Sequence, residues 1–517
     1  MVLKCIAAVL SAVCAVLCFL RNMHIFQLNS YKSATQIPWL FKNFGRLIPS
    51  VFFVLSGVLS FFAGDVWSFV LLIFSALVMA LSHLPRRAKK PLKFTARVIR
   101  MTFTSGILYF GITIAAFVLL PDAVYAVTAF ATALVPFIIM LANVINSPAE
   151  WAVRQWYTSD AKKLLRAADN MTVIGVTGSY GKTSVKFFLG TLLKAKYDTL
   201  ITPENYNTPM GVVKTVRSSL RPIHEMFVCE MGAKYKGDIK ELCRLAHPKF
   251  GVITSIGEQH LETFGSLETI IRTKFEIYRE LPEDGILFVN GDNKVITDNL
   301  SRMEGKCRVV RYGTAENCDY RAEDISVSGK GTAFTFTVPG GESMRFSTRL
   351  LGSHNVVNIA GALAVAYNMG ISLVELVPYV KKIAPVEHRL QLIENGDLTI
   401  IDDAYNSNPA GCRAALETLS FFEDLKILVT PGMVELGALE SELNRQFGRD
   451  AAAVCDYVVL VGEKQAPPIK EGLLECGFAE DRIIVVSGIK EGLSAVYSIQ
   501  TDKKKIVLLE NDLPDNY

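Results

Sequence analysis

The chain has 517 residues, of which 50% are hydrophobic, and its formal net charge is +4. This length favours about three domains over one, and a mean hydropathy of +0.30 is unusual for a purely soluble enzyme. The mild charge gives no support to nucleic-acid binding. Ten cysteines without a CxxC pair argue against a zinc ribbon or a disulfide framework and favour a reducing compartment.

Long apolar runs occupy the start of the chain. Each approaches the roughly 20 residues that cross a bilayer as a helix. Neither a signal peptide nor a set of buried core helices accounts for all of them. We therefore predict a membrane region with about five transmembrane helices over residues 1–150, from the runs 3–20, 47–64, 66–84, 101–120 and 123–145.

Lysine and arginine in the connecting segments predict the orientation. Segments 21–46 and 85–100 are basic, whereas the short connections near Asp65 and Asp122 carry no Lys or Arg. Because basic loops stay in the cytoplasm, we expect a multi-pass protein of the cell membrane. Its N-terminus would lie outside, and the catalytic part that follows would lie in the cytoplasm.

From residue 171 onwards, short β-rich runs alternate with helical stretches. This alternation predicts an α/β fold with a mainly parallel sheet, whose ligands bind at the carboxyl ends of the strands. The proline at 385 marks a boundary, so we predict a central domain over 151–385 and a Rossmann-like domain over 386–517. Strands are expected at 171–178, 225–233, 250–257, 285–293, 398–406, 425–432, 456–462, 482–488 and 504–511, an antiparallel edge at 307–350 and a helix at 354–370.

The first of these strands runs into a glycine-rich loop, GVTGSYGKTS. The strict phosphate-loop pattern G-x-x-x-x-G-K-[ST] requires a glycine where Val176 stands. Gly178 and Gly181 still allow backbone N–H groups to face an anion at the start of a helix. Lys182 can reach the outer phosphates, and the Thr183 hydroxyl can bind magnesium. A plain strand-to-helix turn is the alternative, but the context favours a nucleotide loop of a particular subfamily.

Further motifs identify that subfamily. Together with the loop they resemble the Mur ligases, and most closely the branch that adds D-alanyl-D-alanine, over roughly residues 171–517. The motifs occur in the order NYNTPMG (205–211), EMGAKYKGDI (230–239), IGEQHLETFGSLETIIRTKFEI (256–277), GSHNVVNIAGAL (352–363), EHRLQ (387–391), IDDAYNSNPAG (401–411) and PGMVELG (431–437).

The resemblance implies a P-loop-type ATPase domain and ATP-driven amide formation. A substrate carboxylate attacks the γ-phosphate to give an acyl phosphate, and an incoming amine then displaces phosphate. Divalent cations assist such chemistry, and two Mg²⁺ ions are implied. The ATP contacts carried over from the family are Gly178, Ser179, Tyr180, Gly181, Lys182, Thr183, Ser184, Asn355, Asn358, Arg389 and Asp403.

The resemblance also assigns metal ligands and catalytic groups. Thr183 and Glu230 would hold the magnesium between the β- and γ-phosphates, and His260 would bind a second. Lys274 matches a lysine that carbon dioxide carbamylates, which would make it a metal ligand too. Ordinary alternatives are a structural histidine and a surface lysine. The implied catalytic residues are Lys182, Glu230, His260, Lys274 and Arg389.

Two motifs are implied to contact the acceptor and the amine. The first departs from the usual branch spelling, N-x-N-N-E-I-G, and membrane helices stand where relatives carry a domain for the uridine diphosphate sugar. Asp402 is adjacent to Asp403 and could replace it in the ribose contact. The implied substrate contacts are Asn205, Asn207, Thr208, Tyr405, Asn406 and Asn408.

The resulting prediction is a membrane-anchored ligase that adds D-alanyl-D-alanine to UDP-N-acetylmuramoyl tripeptide, in contact with membrane-bound enzymes of cell-wall synthesis. The main alternative is a related ligase that acts on a lipid-linked precursor or a poly-amino acid. A transporter is disfavoured because no ABC-type signature and no ionisable residue in the centre of a span is visible. A dead scaffold is disfavoured because the catalytic set is complete.

Overall fold

The computed structural model describes residues 1–83, 91–204, 206–328, 331–396, 398–404 and 408–511. The chain forms two compact units. The first is Met1–Trp156, and the second begins at Tyr157 and includes the rest of the described chain.

The first unit is helical. Its core consists of small and apolar side chains from all of the long helices. Hydroxyl pairs cross this core, at 2.7 Å between Ser56 and Ser75 and at 3.0 Å between Tyr109 and Thr132. The helices are α1 Val2–Leu28, α2 Ser33–Lys42, α3 Ile48–Leu59, α4 Asp65–Ser82, α5 Ala96–Leu119, α6 Val124–Ala133 and α7 Val135–Ala167, whose last residues belong to the second unit.

Three of these helices, α1, α4 and α5, are long and apolar enough to span a membrane within the described residues. A fourth span is formed if the pair α6 and α7, bent by 68°, counts as one. The expected second span is shorter than predicted, because helix α3 ends at Leu59 after 12 residues. Apolar composition alone did not reveal this break or the bend at Leu134.

The second unit begins with a large mixed sheet. Its elements are β1 Thr172–Thr177, α8 Lys182–Leu193, β2 Thr199–Ile201, α9 Pro209–Ser219, β3 Met226–Glu230, α10 Asp238–Ala246, β4 Phe250–Ile253, α11 Leu261–Phe264, α12 Leu267–Lys274, α13 Glu276–Glu280, β5 Ile286–Asn290, α14 Lys294–Leu300, β6 Arg308–Gly313, β7 Tyr320–Ser328, β8 Gly331–Thr337, β9 Ser343–Thr348, α15 Ser353–Asn368 and α16 Leu373–Lys382.

The strand order in this part of the described chain is β2-β3-β1-β4-β5-β6-β7-β8-β9. Pairing is parallel from β2 to β7 and antiparallel from β7 to β9, so the predicted mainly parallel sheet is confirmed. The antiparallel edge predicted for 307–350 begins only at β7, because β6 pairs in parallel with both of its neighbours. Side chains alternate along β1: Ile174 and Val176 pack with α8 and α15 on one face, and Val173 packs with α9 and α10 on the other.

A second, smaller sheet follows. Its order among the described residues is β10-β11-β15-β12-β13-β14, parallel except for the edge strand β10. The five strands predicted here are present, and β10 is an addition. The elements are β10 Gln391–Asn395, β11 Leu398–Asp403, α17 Pro409–Ser420, β12 Leu425–Thr430, α18 Glu440–Ala452, β13 Tyr457–Val461, α19 Ala466–Glu475, β14 Ile483–Val486, α20 Ile489–Ser498 and β15 Lys505–Glu510.

Adjacent parallel strands bring several motifs to one edge of the large sheet. Strands β3, β1 and β4 are neighbours, and their register pairs Val176 with Glu230 and Thr177 with Ile253. The segments that follow their carboxyl ends are the glycine loop, 231–237 and 254–260. Residues far apart in the sequence therefore meet at this edge, where ligands bind in such sheets.

Candidate active site

The glycine loop is held rigidly between strand β1 and helix α8. Gly178 and Gly181 have φ of +150° and +77°, and a Cβ at Gly178 would lie 2.2 Å from Thr254 Oγ1. The N–H groups of Ser179 and Tyr180 donate to Ser255 at 2.7 and 2.9 Å. Val176 lies inside the buried strand, so the glycine that the strict pattern requires there is not needed for the turn.

The lysine of the loop is folded back over it. Lys182 Nζ donates to the carbonyl of Ser179 at 2.8 Å, and the residue begins helix α8, whose first N–H groups have no partner within the helix. Burial lowers the pKa of Lys182 to about 8, Glu230 opposes this shift, and Arg389 adds to it. A cation and a helix N-terminus therefore face the same space, as an oligophosphate requires.

Glu230, at the end of β3, is the central carboxylate. Its Oε1 accepts from Thr183 Oγ1 and from Asn207 Nδ2, each at 3.1 Å. Its Oε2 lies 2.9 Å from Lys186 Nζ in an ion pair in which both side chains are at most 1% exposed. Burial opposes ionisation of Glu230, but Lys186, Lys182 and the hydrogen bonds together lower its pKa below the usual value.

Lys186 is a residue of the site that the sequence interpretation missed. It also donates to the carbonyl of Glu204, and no part of its side chain is exposed. It lies one helical turn after Lys182 among apolar neighbours of α8. The sequence did contain a signal, since Lys186 stands on the apolar face of helix α8. A buried cation requires an anionic partner.

The residues around Glu230 fit a magnesium ion. They offer a carboxylate, a hydroxyl and an amide, which are hard ligands of the type that Mg²⁺ prefers. Lys186 occupies Glu230 Oε2, whereas Oε1 lies 3.1 Å from the Thr183 hydroxyl, so that these two oxygens could bind one ion. No group of three or more His, Cys, Asp or Glu side chains that could hold a metal occurs in the described part of the chain.

Lys274, at the end of helix α12, is buried with 2% exposure. Burial lowers its pKa well below the usual value, and the nearby cation Lys182 lowers it further, against Asp238 and Glu230. The surface-lysine interpretation is therefore wrong. A lower pKa increases the fraction of the neutral amine, which is nucleophilic and is the form that reacts with carbon dioxide.

His260 pairs with a residue of the smaller sheet. Its Nδ1 is hydrogen-bonded to Glu435 in the loop that follows β12, and Lys234 Nζ lies 3.7 Å from the other oxygen of that carboxylate. Burial lowers the pKa of His260, although Glu435 opposes the shift. The hydrogen bond from His260 in turn lowers the pKa of Glu435. Glu435 was also missed, although its PGMVELG motif was recognised.

Asp403 ends strand β11 of the smaller sheet, and Arg389 precedes strand β10. Arg389 is close enough to lower the pKa of both Lys182 and Asp403. Burial nevertheless raises the pKa of Asp403 to about 6, and its Oδ1 accepts from the N–H of Leu390 at 3.3 Å. Asp402 is bonded instead to His388, at 2.7 Å. Of the two adjacent aspartates, Asp403 is therefore the one near Arg389 and the phosphate loop.

The two asparagines of helix α15 differ in their surroundings. Asn358 approaches the phosphate loop, since a Cβ at Gly181 would meet its Oδ1 at 2.7 Å. Asn355 is buried and its Nδ2 donates to the carbonyl of Leu351 at 2.8 Å. The three-residue spacing predicts that both side chains lie on one face of the helix. In the structure only Asn358 approaches the phosphate loop at Gly181.

The predicted substrate contacts form three groups. Asn207 supports Glu230, as described above. Thr208 and Asn408 cap helices α9 and α17, through bonds from Gly211 at 3.3 Å and from Gly411 at 2.8 Å. The third group, Asn205, Tyr405 and Asn406, lies outside the described residues.

Comparison with known proteins places both sheets in one family. Residues 176–366 match the Mur ligase middle domain, and residues 388–510 match the Mur ligase glutamate ligase domain. The UDP-N-acetylmuramoyl-tripeptide--D-alanyl-D-alanine ligase of Bacillus subtilis is 36% identical over 328 residues, which are 63% of this chain and 69% of that protein.

Solved structures show the same relation. MurF from Acinetobacter baumannii has a TM-score of 0.64 and 28% identity, over 70% of this chain and 78% of its own. MurF ligase from Thermotoga maritima, solved in complex with ADP, has a TM-score of 0.62 and 27% identity, over 69% and 80% of the two chains.

Proposed function

Because this chain belongs to the Mur ligase family, we propose that it adds D-alanyl-D-alanine to UDP-N-acetylmuramoyl tripeptide in peptidoglycan synthesis, at the expense of ATP. The observation that carries this proposal is the cluster of Lys182, Thr183 and the buried pair Lys186 and Glu230 at the carboxyl edge of the large sheet. It combines a phosphate loop with one oriented carboxylate. The relative from Bacillus subtilis bears the name of this activity.

The chemistry is a transfer in two steps. The terminal carboxylate of the tripeptide attacks the γ-phosphorus, so that ADP leaves and an acyl phosphate forms. The amine of D-alanyl-D-alanine then attacks the acyl carbon, phosphate leaves, and one proton is lost from the nitrogen. Magnesium held by Thr183 and Glu230 would neutralise charge on the phosphates when bound.

The residues of this chain prepare both steps. Lys182 and the N-terminus of α8 bind the outer phosphates, and Arg389 adds a third positive group. Lys186 keeps Glu230 ionised and holds its Oε2, which leaves Oε1 beside Thr183 for a metal. Lys274, when carbamylated, would present a carboxylate-like group in place of its amine, and His260 would assist at a second magnesium.

The first test is phosphate release from ATP and magnesium by the detergent-solubilised protein. UDP-N-acetylmuramoyl tripeptide is supplied with and without D-alanyl-D-alanine, and Lys182→Ala serves as the blank. Release that requires both substrates, with a pentapeptide product by mass, supports the proposal. Absence of release from protein that still binds ATP would refute this substrate pair and favour the lipid-linked or polymeric acceptors.

Carbamylation has its own test. Lys274–NH₂ and carbon dioxide would give Lys274–NH–COO⁻ and one proton, so ¹³C-labelled carbon dioxide should produce a carbamate resonance. We expect this resonance in the unmodified protein and not in Lys274→Ala. The same spectrum from both proteins would refute the assignment.

We further propose that the first unit anchors the enzyme in the cell membrane with the ligase part in the cytoplasm. Helix α5 supports this, because a stripe of large apolar side chains is more than 60% exposed along it: Phe103, Ile107, Ile114 and Val118. Such a stripe suits lipid contact. It would place the enzyme near membrane-bound enzymes of wall synthesis.

Thiol accessibility in intact cells tests this orientation. Cys476 and Asp122 are exposed, and we predict that they lie on opposite sides of the membrane. In a Cys5→Ser background, an impermeant maleimide should label Asp122→Cys in intact cells and Cys476 only after lysis. Labelling of Cys476 in intact cells would refute the orientation.

A further inference from the structure

One contact joins the two sheets directly across the candidate site. His260 and Glu435 are 175 residues apart, yet Nδ1 of the imidazole is hydrogen-bonded to the carboxylate. His260 lies in the segment that matches the middle domain, and Glu435 lies in the segment that matches the glutamate ligase domain. The contact therefore exists only while these two parts are docked.

The backbone at both residues is unusual. His260 has φ of +53° and Glu435 has φ of +64°. Non-glycine residues rarely adopt this left-handed conformation, and they cluster at functional sites when they do. The fold thus holds both side chains in position at a conformational cost.

The carboxylate also carries a second link. Lys234 Nζ, in the segment after β3, lies 3.7 Å from Glu435 Oε1, while His260 occupies Oε2. Glu435 therefore connects its own loop with the segments that follow β3 and β4. Among the described residues the structure gives no hydrogen-bond partner to the other ring nitrogen of His260, Nε2.

We propose that Glu435 is a positioning residue, which orients the His260 ring so that Nδ1–H donates to the carboxylate and Nε2 keeps its lone pair for a cation. This inference rests on the proposed function, in which His260 assists at the second magnesium. A carboxylate that accepts the other N–H of a metal-binding histidine fixes its tautomer and raises its basicity. Because Glu435 belongs to the other sheet, docking of the two parts prepares His260 for the metal.

Manganese binding without turnover tests the proposal. The full-length protein, saturated with a non-hydrolysable ATP analogue, is titrated with Mn²⁺, and free Mn²⁺ is followed by electron paramagnetic resonance. The readout is the affinity for Mn²⁺ beyond the ion that accompanies the nucleotide. We expect about a ten- to hundredfold loss in Glu435→Ala, and a smaller loss in Glu435→Gln, whose carbonyl oxygen can still accept the hydrogen bond.

Two comparisons separate this role from a merely structural one. Glu442→Ala removes a glutamate of the same region whose side chain is 61% exposed, and it should bind Mn²⁺ like the unmodified protein. In a His260→Ala background, Glu435→Ala should cause no further loss, because the carboxylate acts through the imidazole.

The proposal is overturned if Glu435→Ala binds the second Mn²⁺ normally, or if it lowers the affinity by the same factor with and without His260. If Glu435→Ala unfolds, the affinity of Glu435→Gln for the second Mn²⁺ is measured in its place. No acceptor or amine is present in this experiment. A wrong substrate pair would therefore leave its result unchanged, whereas it would abolish the phosphate release described above.

Discussion

Replacement of Lys186 by methionine should destabilise the second unit. Methionine keeps most of the side-chain volume but leaves Glu230 as an unpaired carboxylate that is 1% exposed. Breaking a buried ion pair on one side costs about 3–5 kcal/mol, and neither partner reaches the solvent that would screen it. At about 2.1 cal/mol/K of unfolding entropy per residue, this corresponds to a decrease in Tm of roughly 4–7 °C for a unit of this length.

The assay is thermal unfolding followed by differential scanning calorimetry, without nucleotide. Lys194→Met is the matched control, because Lys194 follows the same helix and is exposed; its Tm should not change. The double variant Lys186→Met/Glu230→Gln removes both charges and should recover more than half of the loss, although without magnesium binding. The reasoning is refuted if Lys186→Met melts like the control, or if the double variant is no more stable than the single one.

Three further predictions concern nucleotide binding and pH. The affinity for ATP should decrease as the pH rises through about 8, because Lys182 loses its proton there; Lys182→Arg, which remains charged, should bind fluorescent ATP analogues equally at pH 7 and 9.5. Gly178→Ala should weaken ATP binding at least tenfold, since its Cβ would meet Thr254 Oγ1 at 2.2 Å, whereas Gly488→Ala, with open space around it, should bind normally in the same titration. The pKa of Asp403 is raised from 3.8 to about 6 by burial, so its contribution to stability is complete below pH 3.8 and is lost as the pH rises through 6. Asp403→Asn should therefore raise Tm at pH 8, by the equivalent of up to about 3 kcal/mol at 1.36 kcal/mol per pKa unit, and have little effect at pH 4.

The strands of both sheets could be predicted because buried parallel strands are continuous apolar runs. The sequence analysis missed β2 and β10. Both are edge strands of their sheets, and neither has the long apolar run of the buried interior strands. The helix ends in the first unit could not be predicted for a related reason: composition gives the length of an apolar run but not the positions where its helix ends, as at Leu59.

The backbone of the loop could be predicted where a motif fixes its conformation, as at Gly178 and Gly181, which both have positive φ. The polar contacts of the site were predicted less well, because they depend on residues brought together by the fold. Lys186 was missed since its partner Glu230 is on another strand, and Glu435 was missed since it meets His260 from another sheet. The hydrogen bond from Asn355 to a backbone carbonyl could not be predicted either, because spacing gives the helix face of a side chain but not its partner.

The hydrogen bonds between the phosphate loop and Ser255 have a consequence for the kinetics of nucleotide binding. The loop is ordered by the protein itself, so its conformational entropy is lost during folding and not during ATP binding. ATP can then associate by docking onto a preformed surface, without waiting for a slow rearrangement of the loop. Any slow conformational step in the catalytic cycle would therefore involve elements outside the loop, such as the docking of the two sheets.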